Sequence, residues 1–307
     1  MVQPLFLSPV FMERIWGGTR LRDTFGYDIP SEQTGECWAI SAHLNGPSIV
    51  KEGPYSGVAL DRLWENHPEL FGETSGRGTF PLLTTVQVHP GDEYAAKHEN
   101  GNMGKSECWY IIDCKEGAEI ILGHHANSRE EFAAMAESGE WDLLLKRIPI
   151  KPGDFFYLPS GTIHAICGGT LVLETQQSSD TTYRVFDYDR VGEDGNKREL
   201  HLEKALDVTA IPHRDEKPEA MMEMKEGAKA ITLVQSPYFS VHKWVIAGQA
   251  EFIMDRKFML VSVLSGHAGM KVSGQKYDIR KGNHFILPSG SGRIGFDGKA
   301  EMIVSHV

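Results

Sequence analysis

The chain has 307 residues, of which 41% are hydrophobic and 24% are charged, so it can bury a core and shows no compositional sign of wholesale disorder. Its formal net charge of −11 repels phosphate backbones and anionic lipid surfaces. The composition therefore argues against nucleic acid and membrane as partners and leaves a small molecule. Because we find neither a signal peptide nor an apolar run near the ~20 residues of a membrane span, we expect a cytoplasmic protein.

Short apolar runs lie between frequent turn residues along most of the chain, which contains 32 Gly and 15 Pro. Runs of this length, bounded by Gly and Pro, are typical of antiparallel sandwiches and barrels. We therefore predict a mainly β fold. The clearest runs are residues 119–122, 155–158, 170–174, 258–264 and 284–287.

Three segments depart from this pattern and predict helices. Residues 58–71 have apolar side chains at helical spacing. Residues 128–148 begin at Ser128, which is followed three residues later by Glu, the signature of a capping box. Gly139 is expected to split this second segment into two helices. Residues 199–208 predict a third, short helix.

The chain contains an internal repeat. Residues 151–161 read KPGDFFYLPSG and residues 280–290 read RKGNHFILPSG. Their separation is too long for a solenoid, so the repeat predicts two copies of one β-domain. We assign the first domain to residues 1–210 and the second to 220–307, joined by the charged, Pro-containing linker 211–219.

Four dispersed side chains are candidate metal ligands. Gln87 and His89 are two residues apart, which places both on the same face of a strand. Glu107 begins an apolar, aromatic run, and His164 follows a Gly turn. Two His, one carboxylate and an amide oxygen suit a borderline divalent ion such as zinc, with a position left open. No HExxH-type spacing is present, so the residues alone leave an ordinary hydrogen-bonding role open for each His.

The turns around the repeat resemble the second motif of cupins, which are small jelly-roll barrels. This motif has the form G-x(5)-P-x-G-x(2)-H. The resemblance implies two cupin-like jelly-roll barrels with a small helical insert, of which the first keeps a metal site and the second lacks its ligand. The matching positions are Gly153, Pro159, Gly161 and His164 in the first copy, and Gly282, Pro288, Gly290 and Arg293 in the second.

The wider motif set resembles the type I mannose-6-phosphate isomerases in their short bacterial form. The motifs are RIWGG, TGECWAIS, VQVHPGDEYA, GKSECWYIID, LPSGTIHAI and TTYRVFDYDR. The resemblance covers residues 4–208 most clearly, although the segment 80–87 is shorter than the family pattern. It implies interconversion of mannose 6-phosphate and fructose 6-phosphate with one bound zinc ion. By position, it implies Gln87, His89, Glu107 and His164 as the zinc ligands and Arg184 as the active-site Arg.

Three further side chains have candidate roles from their chemistry. Arg184 is always protonated and could stabilise negative charge that develops on a substrate oxygen, or it could pair with Asp187 or Asp189. Lys105 precedes the predicted carboxylate ligand by two residues, so it would share its face and could bind the phosphate or the sugar oxygens. A solvated Lys is its alternative role. Trp16 could wall the substrate pocket or pack in a core.

Two other functions compete with a zinc-dependent sugar-phosphate isomerase that passes through an enediol. One is a non-catalytic sugar-binding cupin, and the other is a different metal-cupin enzyme, such as an iron dioxygenase. The ligand residues alone do not separate zinc from iron, and the wider motif set favours zinc and a sugar phosphate. The sequence leaves the general base open between a zinc-bound water, Glu107 and a His, and it leaves the oligomeric state open.

Overall fold

The computed structural model describes residues 2–43, 45–72, 86–188, 190 and 196–307. The shortened segment before Gln87 therefore lies largely outside the described residues. Contacts divide the chain into two compact units. We call Met1–Phe80 with Pro218–Val307 the split unit, and Pro81–Lys217 the central unit. In the part of the chain that is described, no helix has the length and apolarity needed to cross a bilayer.

The elements follow one another in three stretches of the chain. The first contains β1 (Leu5–Ser8), β2 (Val10–Glu13), α1 (Arg20–Phe25), β3 (Thr34–Trp38), β4 (Ile49–Val50), α2 (Leu60–Asn66) and a 3-10 helix (Pro68–Phe71). The second contains β5 (Val86–Val88), α3 (Asp92–His98), β6 (Glu107–Cys114), β7 (Glu119–His124), α4 (Arg129–Glu137), α5 (Trp141–Leu144), β8 (Leu145–Pro149), β9 (Phe155–Leu158), β10 (His164–Ile166), β11 (Thr170–Gln176), β12 (Tyr183–Phe186) and α6 (Leu202–Val208). The third contains β13 (Met221–Lys225), β14 (Ala228–Gln235), β15 (Ser240–Met254), β16 (Met259–Val272), β17 (Gln275–Arg280), β18 (His284–Leu287) and β19 (Gly292–His306).

The split unit is held together by pairing between the two ends of the chain. Its large sheet has the order β13-β14-β15-β19-β16-β18-β1-β4, with β17 paired to β16. Strand β1 pairs antiparallel with β18, where Leu5 lies opposite Ile286. The bounds of the two units therefore differ from the predicted division at 211–219. The assignment of 1–210 and 220–307 as separate cupins stays a prediction.

The central unit contains two antiparallel sheets that enclose a core. Their strand orders are β12-β5-β10-β7-β8 and β11-β6-β9. Trp109 and Ile111 of β6 share one buried cluster with Ile120 of β7 and Ile166 of β10, so the inner faces of the two sheets pack on each other. Because side chains alternate along a strand, Glu107 lies on the same inner face of β6 as Trp109 and Ile111.

The repeated motif has the same local structure in both copies. Each copy forms a four-residue strand, β9 in the first and β18 in the second. Before the strand, Asp154 Oδ2 accepts a hydrogen bond from Lys151 N, and Asn283 Oδ1 accepts one from Arg280 N, both at 2.9 Å. The glycine that precedes the Asp or Asn has a φ of 92° in the first copy and 83° in the second, which favours glycine. The repeat is therefore structural rather than a chance recurrence of turn residues.

The helical segments differ from prediction at their ends. Ser128 caps α4, since its Oγ accepts a hydrogen bond from the Glu131 N–H at 3.1 Å, and a break at Gly139 separates α4 from α5. The predicted helix over 128–148 is wrong beyond Leu144, because the next residues form β8 and pair with β7. The sheet hydrogen bonds outweigh the local helical pattern there.

Candidate metal centre and active site

Two buried histidines have fixed orientations in the central unit. His89 follows β5, and its Nδ1 atom is 2.8 Å from the Thr181 carbonyl oxygen. His164 opens β10, and its Nδ1 atom is 2.8 Å from the Thr162 carbonyl oxygen. Since a carbonyl only accepts, each ring donates its Nδ1–H and presents its Nε2 lone pair as an acceptor, which Lys105 Nζ approaches to 3.3 Å at His89. The side chains are 2% and 1% exposed, so solvent does not compete for these nitrogens.

The Glu107 carboxylate lies between the two imidazole nitrogens. Its Oε1 atom is 3.4 Å from His164 Nε2, and its Oε2 atom is 3.5 Å from His89 Nε2. One ligand atom from each of the three residues lies within 4.8 Å of the others. Neither carboxylate oxygen receives a hydrogen bond of good geometry within the described residues. The three residues therefore form a buried donor set that a divalent cation would complete.

The Gln87 side chain also lies beside the Nε2 atoms of His89 and His164. Its Nε2 atom is 3.4 Å from His89 Nε2 and 3.2 Å from His164 Nε2. Rotation of the amide by a half-turn would exchange this nitrogen for the oxygen, which is the atom that binds cations. The structure therefore brings together all four predicted ligand residues, and the prediction that Gln87 and His89 share one strand face agrees with this geometry.

Burial and the Lys105 ammonium keep the histidines neutral. Burial and the nearby positive charge of Lys105 lower the pKa of His89 to about 3. Burial also lowers the pKa of His164, although the Glu107 carboxylate opposes this effect. Burial would raise the pKa of Glu107, but Lys105 and His164 outweigh it and hold that pKa well below its usual range. At neutral pH the set is thus two neutral imidazoles and one carboxylate, the protonation state that a metal requires.

Lys105 is buried among carboxylates rather than solvated. Its Nζ atom is 2.7 Å from Glu107 Oε2 and 3.4 Å from Glu174 Oε1, and the side chain is 1% exposed. Burial would lower the pKa of Lys105, but the two carboxylates raise it above its usual value. Lys105 therefore remains a cation beside Glu107, and its role in substrate binding stays a prediction.

Glu174 is a site residue that the sequence did not single out. It lies on β11 directly opposite Trp109, and its Oε2 atom accepts a hydrogen bond from Trp109 Nε1 at 3.2 Å. Burial and the charge of Glu107 raise the pKa of Glu174 to about 8, against the opposing effect of Lys105. The available signal was a carboxylate at the end of the apolar run of residues 170–174, a run that by itself predicts only a strand.

Arg184 lies on the same sheet face as the ligand residues. It is the direct cross-strand partner of Gln87, which in turn is the partner of His164. Its Nη1 atom donates to the Glu199 carbonyl oxygen at 2.6 Å, and its buried Nε atom has no hydrogen-bond partner within the described residues. Burial and neighbouring Arg198 lower the pKa of Arg184.

The alternative role for Arg184, an ion pair with Asp187, does not occur, since other cations hold that carboxylate. Arg190 and Arg198 both donate to the Asp187 side chain, the latter from Nε at 2.7 Å. Asp189 lies outside the described residues. The Arg184 guanidinium contacts the Glu199 carbonyl oxygen, and its role at the active site stays a prediction.

The remaining candidates lie in the split unit. Trp16 is partly buried in the turn after β2. Its Nε1 atom lies close to Gly35, where an added Cβ atom would be only 3.2 Å away. Its role at a substrate pocket stays a prediction. Arg293, at the position where the second copy lacks its His, is exposed and pairs with Glu251. This position thus carries a surface ion pair.

The class of this protein follows from its fold and its donor set, and its family follows from similarity to known proteins. The fold and donor set define a cupin-type protein with a metal-capable centre. The family description "Mannose-6-phosphate isomerase, cupin domain" matches residues 229–307, and "Phosphomannose isomerase type I, catalytic domain" matches residues 5–111. These matches confirm the prediction of a mainly β fold of cupin type.

Relatives cover the whole chain. Mannose-6-phosphate isomerase ManA of Bacillus subtilis is 53% identical over 315 residues, covering 99% of each chain. The mannose-6-phosphate isomerase of Streptococcus mutans is 51% identical and covers 100% of this chain and 99% of its own. The crystal structure of a Bacillus subtilis mannose 6-phosphate isomerase superposes with a TM-score of 0.95 at 53% identity, covering 99% of each chain. The chain belongs to the type I phosphomannose isomerase family and is an isomerase.

Proposed function

We propose that this isomerase depends on one zinc ion and interconverts mannose 6-phosphate and fructose 6-phosphate through an enediol. The observation that carries the proposal is the buried donor set of His89, Glu107 and His164, in which both imidazoles are anchored through Nδ1. A metal ligand of this kind keeps its orientation because a backbone carbonyl fixes its tautomer. Relatives named mannose-6-phosphate isomerases support the substrate class.

The residues that would hold the ion are Gln87, His89, Glu107 and His164. Bound there, zinc supplies Lewis acidity toward sugar oxygens without redox chemistry. The same two-His, one-carboxylate set also suits iron, so the choice of zinc rests on the wider motif resemblance and needs a metal analysis. All four side chains are at most 2% exposed, which excludes water from their donor atoms.

The chemistry moves a proton between C1 and C2 of the sugar and another between their oxygens. Negative charge develops on oxygen along this path, and a fixed cation lowers the barrier. We assign this role to Arg184, whose Nε atom has no partner within the described residues. Its guanidinium stays protonated across the working pH range.

We assign substrate binding to Lys105 and proton transfer to Glu174. Lys105 carries the positive charge beside Glu107, and we assign it to binding the sugar oxygens or the phosphate. In the metal-free site Glu174 keeps a proton at neutral pH, because burial and the charge of Glu107 raise its pKa to about 8. A carboxyl with this pKa can donate its proton near pH 7, and the resulting carboxylate can then take one back, which suits proton transfer between oxygens.

A coupled assay of mannose 6-phosphate conversion tests the proposal. The protein is stripped with a chelator, assayed, and then reloaded separately with zinc, iron(II) and manganese(II). We expect activity to disappear with the metal and to return with zinc, together with about one zinc per chain by elemental analysis. Full activity in the stripped protein, or binding of the sugar phosphate without turnover in the zinc-loaded protein, would rule the proposal out. The latter result would support a non-catalytic sugar-binding cupin.

A further inference from the structure

Strand β13 ends the large sheet of the split unit and exposes methionines on both faces. It pairs with β14 on one side, and within the described residues no strand pairs with its other side. Met221, Met222 and Met224 are 56%, 62% and 65% exposed. An edge strand with unpaired backbone groups and apolar side chains is a template for another strand.

The hairpin that joins β13 to β14 defines which backbone groups face outward. Lys225 lies opposite Ala228, so only two residues form the turn. The pair that flanks a two-residue turn is hydrogen bonded, and hydrogen-bonded pairs alternate along antiparallel strands. Lys225 and Glu223 therefore direct their N–H and C=O groups toward β14, whereas Met222 and Met224 direct theirs to the open side.

The sequence of this edge is complementary to itself in one register. With a two-fold axis at Met224, the outward groups of Met224 bond their copies, and Glu223 of each chain lies opposite Lys225 of the other. An axis at Glu223 would place like charges directly opposite, which destabilises a strand pair. An axis at Met222 would leave both Glu223 and Lys225 without an opposite charge in the strand. The register at Met224 places Glu223 opposite Lys225 within the strand and pairs the outward backbone groups of Met224 with their copies.

We propose that the occupant of this edge is a second copy of the same chain, paired antiparallel through β13 about Met224. The ion pair within one chain, where Lys225 Nζ is 2.6 Å from Glu223 Oε1, then becomes one half of a four-charge network. Met222 and Met224 lose exposed area against the second copy. Two five-residue strands bury less than the roughly 1,200 Å² of a stable interface, so the dimer is weak and reversible.

Analytical ultracentrifugation of the intact protein tests this dimer across roughly 5–500 µM, the range that a weak complex requires. The wild type should shift from the 34.2 kDa monomer toward twice that mass as concentration rises. Met224→Pro removes an outward N–H and leaves the bonds to β14 intact, so it should raise the dimer Kd at least about tenfold. Ile253→Lys, at a residue 70% exposed on β15, is the matched control and should dimerise as the wild type does.

A charge exchange tests the register independently of the backbone variant. Glu223→Lys and Lys225→Glu should each weaken the dimer, and the double variant should restore it because the opposite charges face each other again. A wild type that stays monomeric would leave this edge to a strand of another protein and overturn the proposal. A Met224→Pro variant that dimerises like the wild type, or a double variant without recovery, would overturn it equally.

Discussion

Gln87 and His164 are direct partners on the neighbouring strands β5 and β10, and the Gln87 Nε2 atom lies 3.2 Å from His164 Nε2. This pairing joins two of the four ligand residues through the backbone of one sheet. Glu107 comes from the facing sheet. The proposed metal centre is therefore positioned by the hydrogen bonds of the sheets, and removing one side chain should leave the others in place.

Replacing His164 by Ala should remove bound zinc and activity together. The remaining residues lack one of the two imidazoles, and we expect the zinc affinity to fall by at least about 100-fold. Zinc content and turnover of the purified variant are the measurements. His125→Ala, at an exposed His of the same unit, is the control and should keep both. A His164→Ala protein with full zinc and full activity would show that the ligand set is wrong.

Arg184→Ala should keep zinc but lower kcat by about 10²–10³, since the cation is assigned to charge that develops only in the transition state. Steady-state kinetics with zinc-loaded protein measures the change. Arg184→Lys should recover little, because a Lys ammonium does not reproduce the guanidinium fork. An unchanged kcat in Arg184→Ala would contradict the role, and so would loss of zinc.

Substitutions of Glu174 should show whether its side chain is a neutral or a charged hydrogen-bonding group. At pH 7 its raised pKa leaves it protonated, so Glu174→Gln keeps the side chain uncharged and keeps one acceptor oxygen, for either Lys105 or Trp109. Glu174→Ala leaves both donors short of an acceptor and should cost about 1–3 kcal/mol of unfolding free energy. Urea denaturation of the metal-free variants measures the difference. Equal losses in the two variants would contradict a protonated Glu174.

The same residue predicts a pH dependence of stability. The folded pKa of about 8 exceeds the ordinary glutamate pKa of 4.5, so the folded state binds more protons between these pH values. The contribution of Glu174 to the stability of the metal-free wild type should therefore fall as pH rises from 4.5 through 8. This contribution is the difference between the stability profiles of the wild type and Glu174→Gln, in which the buried histidines cancel. A slope that is identical in both proteins would contradict the shifted pKa.

Zinc retention should persist on acidification. The pKa of His89 is about 3 and that of His164 is also lowered, so protons compete for these ligands only below the ordinary imidazole value of 6.5. Equilibrium zinc binding should thus be almost constant from pH 8 through 6.5 and decline only at lower pH. Half-loss of zinc near pH 6.5 would indicate exposed, ordinary histidines instead.

The ligand set and Arg184 were predicted from the family resemblance, and local rules accounted for only part of that set. The two-residue spacing of Gln87 and His89 places them on one strand face, and the repeat placed His164 after a Gly turn. Glu174 was missed because an acidic residue within an apolar strand looks like an ordinary surface position. Its importance depends on β11 lying beside β6, a long-range pairing that local patterns do not encode.

The fold class was predicted from short apolar runs and turn residues, but the strand pairing between the two ends of the chain was not. The pairing of β1 with β18 joins the two ends of the sequence. No local feature of Leu5–Ser8 predicts which strand it will pair with. The strand Leu145–Pro149 was missed for a similar reason, because its hydrogen bonds come from β7. In both segments, pairing with a strand outside the segment determines the structure more than the local sequence does.

The central claim is that four side chains bind one divalent cation within the central unit. Anomalous diffraction at the zinc edge from crystals of the zinc-loaded protein tests it most directly. We predict one strong peak at about 2.0–2.2 Å from His89 Nε2, His164 Nε2 and a Glu107 oxygen, with the Gln87 amide oxygen facing it. A zinc peak elsewhere, or one that contacts fewer than three of these residues, would contradict the account.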